Sequence, residues 1–237
     1  MVPIDELLAD APAHRKKTGR PLVTLSYAQS LDGSIAARTD SPLRLSGPQA
    51  MSMTHQLRAA HDAILVGIGT VLADDPRLNV RLVEGTDPQP VVLDSQLRLP
   101  LEANLLGGSR RPWIATLPGA DPRKKGQLEE RGARLLSLPA DECGRVSLIA
   151  LMGCLDDLGV NSLMVEGGAR VISSFLAYNL VDRLVVTIAP LIVGGLRAVE
   201  RNAIFPRNIL NSGCERLGDD LIVWGEISGQ GTVGSEE

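Results

Sequence analysis

Aromatic residues are scarce in this chain. Its 237 residues include two Trp, two Tyr and two Phe, too few for a surface whose main work is stacking nucleic-acid bases. An excess of positive charge is also missing. Against 24 Lys and Arg stand 28 Asp and Glu, a net charge of −4, so no global field draws the protein to nucleic acid or an anionic membrane. The three cysteines, Cys143, Cys154 and Cys214, form no CxxC pair, and His14, His55 and His61 add no ligand-spaced cluster. No metal is therefore expected, and the His/Cys-x-Glu and Pro-Cys-x-x-Cys pattern of a zinc deaminase is absent. Isolated thiols of this kind read as structural cysteines in a reducing compartment. No apolar run approaches the roughly 20 residues of a membrane span. Residues 1–20 lack the apolar core of a signal peptide, so the expected location is the cytoplasm.

What is present suits one substantial core: 44% of the residues are hydrophobic and 22% charged. Apolar runs bounded by turn residues predict strands at 22–28, 34–37, 63–66, 90–95, 111–116, 134–138, 162–165 and 181–189. Helices are expected at 4–9, 46–60, 122–132, 147–158 and 169–179, with Ser46 as a cap and Pro48 in the first turn of the second. Strands 215–217 and 221–227 would make a terminal hairpin around Gly218-Asp219-Asp220. The Pro/Arg/Lys-rich residues 121–125 read as a surface loop. Alternating strands and helices give an α/β fold with a mainly parallel central sheet flanked by helices and an antiparallel C-terminal edge. Residues 1–19 form an N-terminal extension, 20–227 the domain and 228–237 a loose tail.

Two glycine turns stand out. The apolar run at 63–66 leads into Gly67-Ile68-Gly69-Thr70, then into a polar loop with Asp74, Asp75, Pro76, Arg77 and Arg81. A second strand ends in Glu166-Gly167-Gly168 and a helix starts at once. Glycine lets a phosphate approach the free N–H groups of such a helix start, and Glu166 falls at a strand's C-terminal end, where open α/β sheets bind ligands. Neither turn is a Rossmann fingerprint, and there is no Walker A lysine. A strand, a turn and a solvated acid would read the same locally. Asp32, beside Gly33, reads as a turn former.

The ordered motifs are Tyr27-Ala28-Gln29-Ser30-Leu31-Asp32-Gly33, Leu57-Arg58-Ala59, the whole stretch 61–81, Val92-Leu93-Asp94-Ser95, Val165-Glu166-Gly167-Gly168 and Ala189-Pro190-Leu191-Ile192-Val193-Gly194-Gly195. Across residues 20–227 this resembles the riboflavin-pathway pyrimidine reductases, whose fold is dihydrofolate-reductase-like. The resemblance implies NADPH-dependent reduction of a ribosylaminopyrimidine 5′-phosphate, either the uracil or the diaminopyrimidinone compound, to its ribitylamino product. Carried over by position, Ala28, Thr70, Asp74, Ser95 and the turn Gly168, Ala169, Arg170, Val171, Ile172, Ser173 and Ser174 would contact NADPH. Arg58, Leu78, Arg81 and Glu166 would contact substrate. Guanidinium forks suit a 5′-phosphate. Hydride would pass to C1′ of an opened ribosylamine in imine form, with the acid supplied by Glu166, Asp74 or ordered water.

Many bacterial bifunctional members carry a tryptophan where this chain has Arg44, which leaves contacts from Ser41 and Arg44 open. The wording at 27–30 and 53–55 leans toward the fungal type, and a stand-alone reductase is expected. A homodimer is implied, and the strand at 181–188 with the residues to 195 reads either as part of its interface or as buried core. A pterin or folate reductase, or an idle NADPH-binding paralogue, are the alternatives.

Overall fold

Short aliphatic runs, each closed by glycine, proline or a polar pair, build the sheet. The computed structural model describes residues 2–38, 43–199 and 206–228. Its strands are β1 (Leu22–Ser30), β2 (Ser34–Ala36), β3 (Ala63–Gly67), β4 (Gln89–Leu93), β5 (Trp113–Thr116), β6 (Arg134–Ser137), β7 (Ser162–Gly167), β8 (Arg183–Ala189), β9 (Leu196–Arg197), β10 (Ile209–Leu217) and β11 (Asp220–Ile227). Nine of them form one sheet in the order β10-β11-β8-β1-β7-β3-β4-β5-β6, and β2 pairs with β9. From β8 to β6 every neighbour is parallel. At the other end β11 runs antiparallel to β8, and β10 antiparallel to β11. This is the expected α/β architecture, antiparallel C-terminal edge included. Parallel pairing brings the C-terminal ends of β1, β7, β3 and β4 to one edge of the sheet, where such folds hold ligands.

The helices are α1 (Ile4–Leu8), α2 (Ala11–Thr18), α3 (Pro48–Ala60), α4 (Ile68–Asp74), α5 (Pro122–Glu130), α6 (Leu148–Asp157) and α7 (Ala169–Ala177). Strand side chains alternate between faces. Leu25, Leu65 and Val165 join Leu151, Leu155 and Phe175 of α6 and α7 in one core. Ile64, Val66, Val92 and Ile114 pack with Leu105 and Leu128 in a second. Met164 and Val185 meet Leu7 of α1 and Met53 and Leu57 of α3 in a third.

Several expectations shift in detail. Ser46 caps nothing: the N-cap of α3 is Gly47, with no side-chain cap, and its N–H donates to Asp220 Oδ2 at 2.7 Å. Of the two readings given to residues 121–125, the helix expected at 122–132 is observed as α5, and Asp121 caps its start by accepting from the Arg123 N–H. Of the two readings of the strand at 181–189, core burial is the one observed: β8 lies inside the sheet between β1 and β11, mostly buried. Cys143 and Cys214 are exposed and only Cys154 is partly buried, so two of the three thiols have no packing role. The N-terminal extension carries a second helix, α2, tied down by Arg15, whose Nε donates to Asp156 Oδ1 at 2.6 Å. Most of the expected tail, residues 229–237, lies outside the described residues.

Candidate active site

The two glycine turns sit side by side. β3 runs straight into α4 through Gly67, and β7 into α7 through Gly167 and Gly168. A Cβ on Gly67 would come within 2.8 Å of Val171 Cγ2, so the missing side chain is what lets α7 pack against β3. Gly168 has φ +87°, and a Cβ there would stand 3.1 Å from Thr70 Oγ1. The backbone of one turn thus faces the hydroxyl of the other. As N-cap of α7, Gly168 offers no side-chain cap, which leaves the first N–H groups of that helix open to a ligand.

Beside this cradle lies an ion pair. Arg58 Nε and Nη2 donate to Glu166 Oε1 and Oε2, both at 2.6 Å, and Nη1 donates to the Asn79 carbonyl at 3.1 Å. The side chains are 9% and 13% exposed. Burial alone would lower the Arg58 pKa, but the Glu166 carboxylate outweighs it and holds the guanidinium above its usual value. His55, one turn earlier on α3, is fully buried and accepts from the Arg81 N–H through Nδ1 at 3.2 Å. Burial, then the charges of Arg58 and Arg81, push its pKa down to about 4, so the ring is neutral at pH 7. Asp74, at the end of α4, is raised by desolvation. Arg58, Glu166, Thr70, Asp74 and both glycine turns all line one cleft of about 1230 Å³. Among the described residues no group of His, Cys, Asp and Glu is placed to hold a metal, and no helix is long and apolar enough to cross a membrane.

A family model described as the RibD C-terminal domain matches residues 21–223. The chain belongs to the RibD C-terminal domain family. It is 36% identical over 215 residues to the riboflavin biosynthesis protein RibD of Aquifex aeolicus, covering 86% of this chain but 57% of that protein. It is 40% identical over 186 residues to the 2,5-diamino-6-ribosylamino-4(3H)-pyrimidinone 5′-phosphate reductase of Archaeoglobus fulgidus, covering 74% and 83%. Among solved structures it superposes on the riboflavin biosynthesis reductase Rib7 of Saccharomyces cerevisiae with a TM-score of 0.76 at 27% identity, covering 95% of this chain and 99% of that one.

Most of the residues that the family resemblance singled out reach the cleft. Ala28, Thr70, Asp74, Ser95, Gly168, Ala169, Arg170, Val171, Ile172 and Ser174 line it, as do Arg58 and Glu166. Three do not. Ser173 is buried away from the cleft wall. Leu78, expected as an apolar wall, takes φ +52° and is 2% exposed within the core that holds Ile68 and Val71. Arg81 is exposed beside the cleft, with Nη1 on Asn79 Oδ1 at 3.2 Å. Arg58 is no free phosphate fork either, because Glu166 occupies two of its nitrogens.

Asp32 is the turn former expected: it accepts from the Ser34 hydroxyl and from the Val193 and Gly194 N–H groups at 2.7, 3.0 and 2.8 Å. Asp75 likewise serves the fold, holding the Asn104 N–H and side-chain amide at 2.8 Å each. Arg44 lines the cleft, and Ser41 lies outside the described residues. Sequence reading passed over the loop at 141–146 and Arg98, which also line the cleft. Their signal was weak: an Asp-x-x-Gly turn and a lone arginine, with no periodicity.

Proposed function

We propose that the protein is an NADPH-dependent reductase of 2,5-diamino-6-ribosylamino-4(3H)-pyrimidinone 5′-phosphate, acting in riboflavin biosynthesis. One observation carries this reading: the Arg58–Glu166 pair stands in the same cleft as the Gly168–Thr70 cradle, so a sugar and a dinucleotide can meet at one sheet edge. The archaeal relative named for the diaminopyrimidinone phosphate is covered over 83% of its length, against 57% for the Aquifex RibD, which favours that substrate over the uracil one.

The residues fit a nicotinamide dinucleotide. Open N–H groups at α7 and the Thr70 hydroxyl suit its phosphates, and Ala28 and Ser95 line the walls on either side. Bound there, the nicotinamide supplies a hydride to the sugar carbon. The protein orients the two ligands and excludes water. Glu166 accepts hydrogen bonds from sugar hydroxyls or pyrimidine amino groups while Arg58 keeps it aimed. Asp74, with its raised pKa, is the better placed of the two acids to hold a proton. Arg81, its pKa lowered by partial burial and then by the charges of Arg58 and Arg77, offers the positive charge that the substrate phosphate needs.

The three free thiols suit the reducing cytoplasm. A homodimer would form through β10, one of the sheet's two outer strands, where Ile209 and Leu210 are exposed.

The test is loss of NADPH absorbance with each ribosylaminopyrimidine phosphate, freshly made. Turnover with the diaminopyrimidinone compound is expected. Silence with both, while NADPH binds, would overturn the assignment in favour of an idle binder.

A further inference from the structure

α3 serves the cleft with one row of side chains and the segment after α4 with another. Met51, Thr54 and Arg58 line the cleft, three and four residues apart as one helix face requires. His55 and Ala59, on the neighbouring face, meet residues 79–85. That segment contains no helix or strand, so its backbone groups need partners from side chains. The Asn79 carbonyl accepts from Arg58 Nη1 at 3.1 Å, the Val80 N–H donates to Asp87 Oδ1 at 2.7 Å, and the Arg81 N–H donates to His55 Nδ1 at 3.2 Å. At Gly85, φ +152°, a Cβ would stand 2.6 Å from the Ala59 Cβ, so the backbone there lies directly on the helix.

The segment carries Arg81, whose guanidinium is braced by Asn79 Oδ1, 3.2 Å from Nη1. Asn79 in turn hangs from Arg58 by its carbonyl. Where the Arg81 side chain can reach is set by where its backbone stands, and the His55 ring holds that backbone by its N–H. A shift of about 1 Å in such a support is enough to spoil a charge-assisted contact that needs close geometry.

Packing does not account for the ring. A backbone N–H can only donate, so Nδ1 accepts and the proton of the neutral ring sits on Nε2. Burial first, then the charges of Arg58 and Arg81, keep the ring neutral at pH 7. Nε2 is buried and has no hydrogen-bond partner among the described residues. A buried donor without a partner is a cost to the fold, and an aliphatic side chain of similar size would avoid it. His61 differs, because the Leu57 carbonyl and the Thr24 hydroxyl meet both of its nitrogens. What His55 adds in exchange for that cost is the acceptor at Nδ1, aimed at Arg81.

We propose that His55 is a positioning residue for substrate binding: through the Arg81 backbone N–H it fixes the turn at 79–81, so that the Arg81 guanidinium is held where the substrate's phosphate docks. The proposal rests on the reading above that Arg81 takes that phosphate, and it names the residue that acts through Arg81.

Steady-state kinetics of the full chain with the diaminopyrimidinone phosphate, and with the same compound lacking its phosphate, test it. His55→Gln carries its amide to the place of Nε2 and leaves no acceptor at the place of Nδ1. It should raise KM for the phosphorylated substrate about 10-fold and leave kcat and NADPH affinity within about 3-fold. His55→Asn puts Oδ1 where Nδ1 stands and should bring KM back to within about 3-fold of wild type. Arg81→Ala should raise KM at least as far, and adding His55→Gln to it should raise KM no further. With the phosphate-free compound His55→Gln should change kcat/KM by less than about 2-fold. His55→Leu fills the same space without an acceptor and gives the same reading if the Gln variant does not fold. A KM raised by Arg81→Ala but not by His55→Gln or His55→Leu overturns the positioning role and leaves the phosphate reading standing. An Asn variant as impaired as the Gln one, or equal losses on the two compounds, does the same and makes His55 a residue of the fold. An unchanged KM in Arg81→Ala overturns the phosphate assignment and the role of His55 with it, and a wild-type protein silent with both compounds overturns the reductase reading on which both stand.

Discussion

Arg58 and Glu166, 108 residues apart in sequence, share two hydrogen bonds of 2.6 Å, one on each carboxylate oxygen. The bond joins the last turn of α3 to the end of β7 and closes the floor of the cleft. Removing one partner of a pair this buried leaves a charge with no answer. Arg58→Ala should cost about 3 kcal/mol of stability in urea denaturation. Glu166→Gln keeps one acceptor oxygen, so it should cost less than half as much while abolishing reduction. An Arg58→Ala protein as stable as wild type would mean that the pair does not brace the floor.

Gly168 gives a second expectation. Alanine there must keep φ near +87° and push against Thr70 Oγ1 at 3.1 Å. Strain of this kind costs about 1–2 kcal/mol, and the methyl group occupies the cradle. Gly168→Ala should lower the melting temperature by a few degrees and weaken NADPH binding at least tenfold. Dinucleotide affinity equal to wild type would remove the cradle from the binding site.

The buried histidines predict a pH dependence of stability. His61 sits between the Leu57 carbonyl, 2.6 Å from Nδ1, and the Thr24 hydroxyl, 2.8 Å from Nε2. The carbonyl can only accept, so Nδ1–H donates to it, and in the neutral ring Nε2 accepts from the Thr24 hydroxyl. Burial pushes its pKa down to about 4, as it does for His55. The unfolded chain, with both rings near the ordinary 6.5, then binds more protons than the native one between these values. Stability should be fully present above pH 6.5 and fall toward pH 4, by roughly 1 kcal/mol per pH unit for each ring. Denaturation at pH 7.5, 6 and 5 measures it, and His61→Gln should remove about half the slope. A flat profile would show that both rings stay neutral in the unfolded chain too, or are charged in the native one.

Cys143 supplies a fourth test. It is exposed on the loop that carries Arg145 and lines the cleft. In a Cys214→Ser background, saturating NADPH should slow alkylation of Cys143 at least fivefold. An unchanged rate would place the bound dinucleotide away from that loop.

Much of this was legible in the chain. The 63–70 and 162–170 segments announced their strands and turns because hydrophobic runs and glycines act over a few residues. The polar helix α2 and the first part of β10, residues 209–214, were missed for the same reason. The first is rich in charge and the second mostly exposed, so neither prints an apolar period. The Arg58–Glu166 bond was invisible: the sequence offered two substrate contacts, and the fold brings them together as partners. Leu78 misled because a left-handed backbone, rare outside glycine and asparagine, turns its side chain into the core.

The position of β7 bears on how the protein comes to be made. It is the seventh strand in the chain, yet it is threaded between the first and the third. Until residue 167 has been synthesised, β1 and β3 have no common neighbour, and each exposes a row of unpaired backbone groups to whatever else is nearby. The cleft therefore cannot mature in stages from the N-terminus. It assembles late, by the insertion of one strand across a long sequence separation, a step that is slow in folding and open to aggregation while it lasts.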